Sequence, residues 1–356
     1  MGRLLIKNGR VWDGENFIFA DILTEGKKIQ KISESIAENA DYTFDAKGLT
    51  VSPGLVDIHV HSKGISSDEF GINAEASSFP FGVTAINNAG TAFANRRLSD
   101  MCAVKNTVFV GVGIKDNHAI FDSTERHLAE YGERAVGIKV YLDTTIGNMT
   151  DSTPLSEVCE FAHKKGLKVM VHCSNSPVSM AEIARILSCG DIITHIFHGG
   201  VNSCTENNFE AFRIAKEKGI IPDSGFAGFV HTDFSNLKSC VSAGFLPDTI
   251  STDITKYSAF KRGGRYGMTV CMTMARTVGM SEEDIFKAVT STPAKVLGKE
   301  NDWGHLLEGK CADISVFDYT DEGFDMTDKS GNRLKSNSGY RCILTVSDGE
   351  IVYKDR

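Results

Sequence analysis

The chain of 356 residues is predicted to fold as an α/β protein, a (β/α)8 TIM barrel joined to a small β-sandwich built from both termini. Three observations carry that prediction. Between residues 51 and 304, short apolar runs alternate with helical patterns. Residues 1–50 and 305–356 consist instead of brief strand-like segments cut by tight turns. No glycine-rich phosphate turn follows an early strand, as it would in a doubly wound nucleotide-binding sheet.

At the N-terminal end, the segments 4–6, 10–12, 20–24, 28–32 and 42–45 are punctuated by Asn8-Gly9, Asp13-Gly14 and Glu25-Gly26. Such pairs favour turns between strands. This stretch is too short to bury a core by itself. The C-terminal end has the same texture at 313–317, 341–346 and 351–353, with Asp348-Gly349 before the last. Two similar ends around a different middle predict one small domain assembled from 1–50 plus 305–356.

Within the middle, the candidate strands are 55–61, 83–87, 107–112, 136–141, 168–172, 191–195, 219–222 and 248–251. Helical patterns at 155–165, 179–188, 208–218 and 234–243 lie between several of them. Ser281-Glu282-Glu283-Asp284 has the form of a capping box that opens a further helix. Eight strands alternating with helices over about 250 residues predict a catalytic barrel at 51–304.

Composition narrows the function. With 41% hydrophobic and 24% charged residues, the chain reads as globular rather than disordered. A net charge of −8 and the lack of a basic stripe argue against nucleic acid as a partner. No run approaches the roughly 20 apolar residues of a membrane span. The start Met1-Gly2-Arg3-Leu4-Leu5-Ile6-Lys7 meets charge too early for a secretory signal. Nine scattered cysteines without a C-x-x-C pair fit reduced thiols in a cytoplasmic enzyme better than a disulfide framework. The expected partner is a small-molecule substrate, and a homo-oligomer is compatible with such a barrel.

A barrel enzyme collects its chemistry at the C-terminal strand ends, and the polar residues there form a set. The first strand ends in His59-Val60-His61. Residues i and i+2 of a strand share a face, so both imidazoles address one point, as two metal ligands would. Lys139 lies inside the fourth strand, His172 and His195 end the fifth and sixth, and Asp253 follows the eighth. Alone, each has a bland explanation, since a histidine after an apolar strand is usually a core or rim residue and an aspartate often caps a helix. Five strand ends agreeing is poorly explained that way. Lys139 is costly to bury as an unpaired ammonium. Either it meets an interior acid, or its neutral amine adds CO2 to form a carbamate able to bridge two metal ions.

The set resembles the amidohydrolase superfamily, in the branch with two divalent metals bridged by a carboxylated lysine, which includes dihydroorotases, hydantoinases and several deacetylases. The approach Val51-Ser52-Pro53-Gly54-Leu55-Val56-Asp57-Ile58-His59-Val60-His61 is similar to that superfamily's signature. So are Ser291-Thr292-Pro293-Ala294 and the tail Leu307-Glu308-Gly309-Lys310-Cys311-Ala312-Asp313-Ile314-Ser315-Val316-Phe317. The resemblance implies His59, His61, Lys139 and Asp253 at a buried metal, with Lys139, His172 and His195 at an outer one. Zinc suits these ligands, and manganese or iron also fit nitrogen and oxygen donors. It implies a hydroxide nucleophile between the metals, with Asp253 taking its proton and delivering it to the departing nitrogen.

Two departures bear on the substrate. Dihydroorotases carry H-x-H-x-R, whereas this chain has Lys63, which lacks the bidentate fork of arginine. The spacing is closer to a deacetylase group that shows Gly-His-Gly at the seventh strand, where this chain has Ser224-Gly225-Phe226-Ala227-Gly228. Candidate substrate contacts are Lys63, Asn175 beyond His172, and His198 beyond His195. Arg262 and Arg265 join them, from the run Lys261-Arg262-Gly263-Gly264-Arg265, which suits an anionic group if it overlies the site and is otherwise a solvated loop. His118, His127, His163, His231 and His305 fall outside the strand-end pattern and receive no role. The first reading is a metal-dependent hydrolase of a C–N amide bond in a linear N-acyl compound. A cyclic amidase of dihydroorotase or hydantoinase type is the second. The third is a non-catalytic scaffold, which would typically have lost metal ligands.

Overall fold

The structure, a computed structural model, describes residues 2–63, 71–90, 100–145, 149–226, 230–260 and 266–355. Its centre is a seven-stranded parallel sheet ordered Ile221–Asp223, Ile192–Thr194, Lys168–His172, Ala135–Tyr141, Lys105–Gly111, Val83–Ala89, Leu55–Val60. Parallel neighbours need long crossovers. The helices Asp122–Tyr131, Thr153–Lys164, Met180–Ile186, Glu206–Lys218 and Phe234–Ser242 lie in these connections. Leu55–Val60 and Val83–Ala89 are buried along their whole length, as parallel strands covered on both faces are.

The expected eighth strand at 248–251 is reduced to two single parallel bridges, Asp223 with Thr249 and Val60 with Ile254. They seat residues 249–254 between the two edge strands and draw the sheet towards closure. Asp253 has φ 45°, which no extended strand tolerates. Register then does the positioning. Tyr141 pairs with His172, His172 with Thr194, and Thr194 with Asp223. One row of polar side chains therefore forms at the C-terminal edge.

The helix expected after Ser281 is Glu282–Val289, capped by the Ser281 hydroxyl, which accepts from Asp284 N. Both termini contribute to one eight-stranded sheet. Thr50–Pro53 joins them, pairing parallel with Arg3–Trp12 and antiparallel with Ile314–Thr320. Leu4, Ile6, Val11, Ile22, Ile314, Val316 and Leu344 lie in its own buried cluster. Arg10 ties the sheet to the barrel helices through a two-point contact with Glu282, at 3.2 and 2.6 Å. A hairpin of Phe324–Thr327 and Arg333–Ser336 adds a feature absent from the sequence reading. Among the described residues, no helix is long and apolar enough to cross a membrane.

Candidate metal centre

The sequence-derived residues His59, His61 and Asp253 meet at the edge of the sheet. Asp253 Oδ1 lies 3.1 Å from His59 Nε2 and 2.9 Å from His61 Nε2. Inside the barrel the other ring nitrogen of His59 is fixed by a relay. Thr194 Oγ1 donates to Asp223 Oδ2 at 2.7 Å, so it accepts from His59 Nδ1 at 2.8 Å. That sets the tautomer and leaves the Nε2 lone pair facing Asp253 and Lys139. Asp223 also accepts from Thr249 and Ser251 hydroxyls, each at 2.8 Å. Asp57 braces the opposite side, accepting from Thr252 N and Oγ1 and from His59 N. Burial pushes the Asp57 carboxyl up to about 7 against those bonds.

A second group forms from His172, His195 and His231. His172 Nε2 faces Asp143 Oδ2 at 3.2 Å, and His195 Nδ1 donates to Gly225 O at 2.6 Å. His231 Nδ1 lies 2.9 Å from Ser174 Oγ. Every ring is thus held by one nitrogen, leaving the other for a ligand, the arrangement that metal-binding histidines require. Gly225 is necessary here, because it has φ +48° and an added Cβ would stand 2.5 Å from His195 Nδ1. His195 and Asp253 themselves sit at φ 61° and 45°. Left-handed non-glycine residues cost on the order of 1–3 kcal/mol each and cluster at functional sites.

Asp253 links the two groups. Its Oδ2 lies 3.9 Å from both His195 Nε2 and His231 Nε2. Burial raises its carboxyl, but the surrounding His59, His61 and His231 rings outweigh this and hold it below the usual carboxylate range. Burial pulls His59 down to about 4 and His231 down to about 3, and it lowers His172 and His195 as well. The rings are therefore neutral near pH 7, the form that ligates metal. Lys139 is fully buried, with Nζ 3.2 Å from His59 Nε2. Burial lowers its ammonium to about 8 despite Asp253 and Asp223.

His231 is the residue that sequence reasoning passed over. It lies in the connection after the seventh strand, seven residues beyond Ser224. Asn175 gives its amide Nδ2 to Asp143 at 3.3 Å, and His198 is buried one turn beyond His195, its N–H donating to His195 O at 3.0 Å. Lys63 closes the short strand Ser62–Lys63, its side chain lying outside the described residues, as do Arg262 and Arg265 entirely.

These donors fit divalent ions: neutral imidazoles with supported ring nitrogens, sharing one ionised carboxylate between two groups. The sequence model of the Amidohydrolase family matches residues 50–352. The chain belongs to the amidohydrolase family. This amidohydrolase is 29% identical over 341 residues to a deacetylase of Agrobacterium fabrum, across 88% of this chain and 83% of that protein. A solved dihydroorotase superposes with a TM-score of 0.88 at 25% identity, covering 100% of this chain and 99% of that one. A solved adenine deaminase gives 0.85 at 25% identity, covering 99% of both. The amidohydrolase fold is thus shared by relatives named for different activities, so the substrate must be argued from the site.

Proposed function

We propose that this amidohydrolase cleaves the C–N amide bond of a linear N-acyl compound, as a deacetylase does. One observation carries the reading: Asp253 spans two groups of buried imidazoles. His59, His61 and Asp253 would hold one divalent ion, and His172 and His195 another, zinc being the occupant that suits these ligands best. Bound ions of this kind lower the pKa of water and polarise a carbonyl. Asp253, ionised, takes a proton from the attacking water on a carboxylate oxygen. It then returns that proton to the departing nitrogen, which leaves as an amine. Neutral His59, His172 and His195 orient these groups without competing for the proton.

Lys139 admits two roles. Its lowered basicity supplies free amine, which adds CO2 and releases a proton to give a carbamate able to join both ions. The alternative is that Lys139 stays an ammonium and His231 completes the outer set with His172 and His195. The observation favouring it is that these three imidazoles alone already group closely. Intact-mass and 13C-bicarbonate labelling distinguish the two. A cyclic amidase is the second reading for the substrate, supported by the overlay on a dihydroorotase. Within this proposal 51–304 is the catalytic domain, the sheet from 1–50 and 305–356 is a small sandwich domain, and the enzyme acts in the cytoplasm, in keeping with nine free cysteines.

The test joins metal counting to a substrate screen. After reconstitution the protein should carry two ions per chain and release amine from N-acyl amino acids faster than it opens five- or six-membered cyclic ureides. Faster ring opening would move the reading to a cyclic amidase. Fewer than two ions and no turnover of either class would return it to a scaffold.

A further inference from the structure

His198 is buried, with 1% exposure, and its Nε2 has no hydrogen-bond partner among the described residues. The turn that follows determines what that nitrogen is. Gly200 N donates to His198 Nδ1 at 3.1 Å, so in the neutral ring Nδ1 is the acceptor and Nε2 carries the proton. An N–H donor is thereby buried unpaired, which is costly unless something visits it. His172 and Lys329 both lie near enough to act on this ring electrostatically.

The surroundings point to the visitor. Beyond His198 the tip of the C-terminal hairpin folds onto the barrel mouth. Asp328 Oδ2 accepts from Phe234 N at 2.7 Å, and Asn332 Nδ2 donates to Asp233 Oδ2 at 3.3 Å. The tip is rigid, because Asp328 Oδ1 also accepts from Ser330 N and Asn332 N. It packs so tightly on the His198 turn that a Cβ at Gly199 would lie 2.6 Å from Asp233 Oδ2 and 2.9 Å from Ser330 Oγ. Lys329 rides on this tip, exposed, with no ion pair to it among the described residues. The nearby carboxylates are already engaged. Asp143 accepts from His172, Asn175 and Thr145, and Asp233 from Ser235, Asn236 and Asn332. Among the described residues of this junction, what remains unmatched is the His198 N–H, the buried Thr232 hydroxyl and the Lys329 cation.

We propose that this junction is an anion subsite, in which His198 Nε2–H and the Lys329 ammonium hold a carboxylate of the substrate beside the outer imidazoles. The inference rests on the C–N hydrolase reading and narrows it to N-acyl compounds that carry an acid group, such as N-acyl amino acids. The hairpin of Phe324–Thr327 and Arg333–Ser336 is then a specificity element, brought to the barrel by the C-terminal part of the chain.

Kinetics on an N-acetyl amino acid and on the matching N-acetyl amine lacking the carboxylate test it. The wild-type enzyme should favour the acid. Lys329→Glu, at an exposed position that does not threaten folding, should lower kcat/KM for the acid by about 10- to 100-fold, chiefly through KM, since a bond to a charged group is lost. The neutral substrate should change by less than about twofold, by the same argument. His198→Phe should mimic the loss, and His198→Gln, which keeps an N–H, should recover part of it. Equal turnover of acid and neutral substrates by the wild type overturns the subsite, as does an equal loss on both in Lys329→Glu. If neither compound is hydrolysed, it is the hydrolase reading that fails. The subsite is then judged by calorimetry with succinate against succinamide. A preference for succinate that Lys329→Glu abolishes supports it, and no such preference overturns it.

Discussion

The inner and outer halves of the candidate metal centre are built from different materials. His59 and His61 end a strand buried along its length, and the support behind His59 lies wholly inside the barrel, through Thr194 to Asp223. In the outer half, whose His172 also ends a strand, the supports and one ring sit on connections. His172 leans on Asp143 past the fourth strand, and His231 leans on Ser174 past the fifth, while His231 itself belongs to the loop after the seventh strand. A half built on strands is held by register, and one built on loops changes when the loops change. We read the inner half as the part that fixes the chemistry and the outer half as the part free to select a substrate.

Asp253 is the one side chain common to both, so its replacement should have the largest effect. Asp253→Asn keeps the shape and removes the proton carrier. Turnover should fall by about 10²–10⁴-fold, with thermal melting little changed. Steady-state kinetics beside melting curves check this, and full activity in the variant would remove Asp253 from its catalytic role.

A pair of variants tests whether the halves are separable. Asp223→Asn breaks the relay behind His59, and His231→Ala removes a ring from the outer group only. Loss of a supporting group costs about 10–100-fold in metal affinity. Chelator competition should show one ion weakened in each variant, and a different ion in each. If both variants release the same ion, the division drawn above is wrong.

The same division explains what could be read from the residues alone. His59-Val60-His61 is legible because a strand has a period of two, and His172 and His195 are legible because each ends an apolar run. All four histidines are buried, and they fall into the two groups described above. His231 is not legible, because a loop has no period, and the left-handed turns at His195 and Asp253 leave no mark in composition. Asp143, Thr194 and Asp223 look ordinary in sequence and acquire meaning only when register aligns them. The eighth strand shows the opposite error. Its apolar residues predict a strand, but placing Asp253 at the centre bends the backbone out of extended geometry and leaves two bridges. The hairpin at the C-terminal end was missed because its alternation is short and polar on one face.

The smallest predicted effect concerns pH, and it reaches both halves without altering either. In the metal-free protein His59 protonates at about 4 and His231 at about 3, both below the 6.5 of an exposed ring, because burial opposes the charge. Between those values the unfolded chain binds protons that the folded chain does not. Stability therefore rises with pH across the window, is fully present above about 6.5, and is lost as pH falls towards 4 and below. Within the window each ring adds a slope of about 1.4 kcal/mol per pH unit. Urea unfolding of chelator-treated protein at a series of pH values should show this slope. Lys139→Met sharpens the comparison, since the Lys139 charge depresses His59 and, in the outer group, His172 and His195, but is not among the main influences on His231. The variant should move the His59 protonation upward and leave that of His231 in place, which histidine NMR titration reads ring by ring. Equal movement of both rings would mean that the Lys139 charge reaches the loop residue as it reaches the strand ends, and that His231 is not set apart from them.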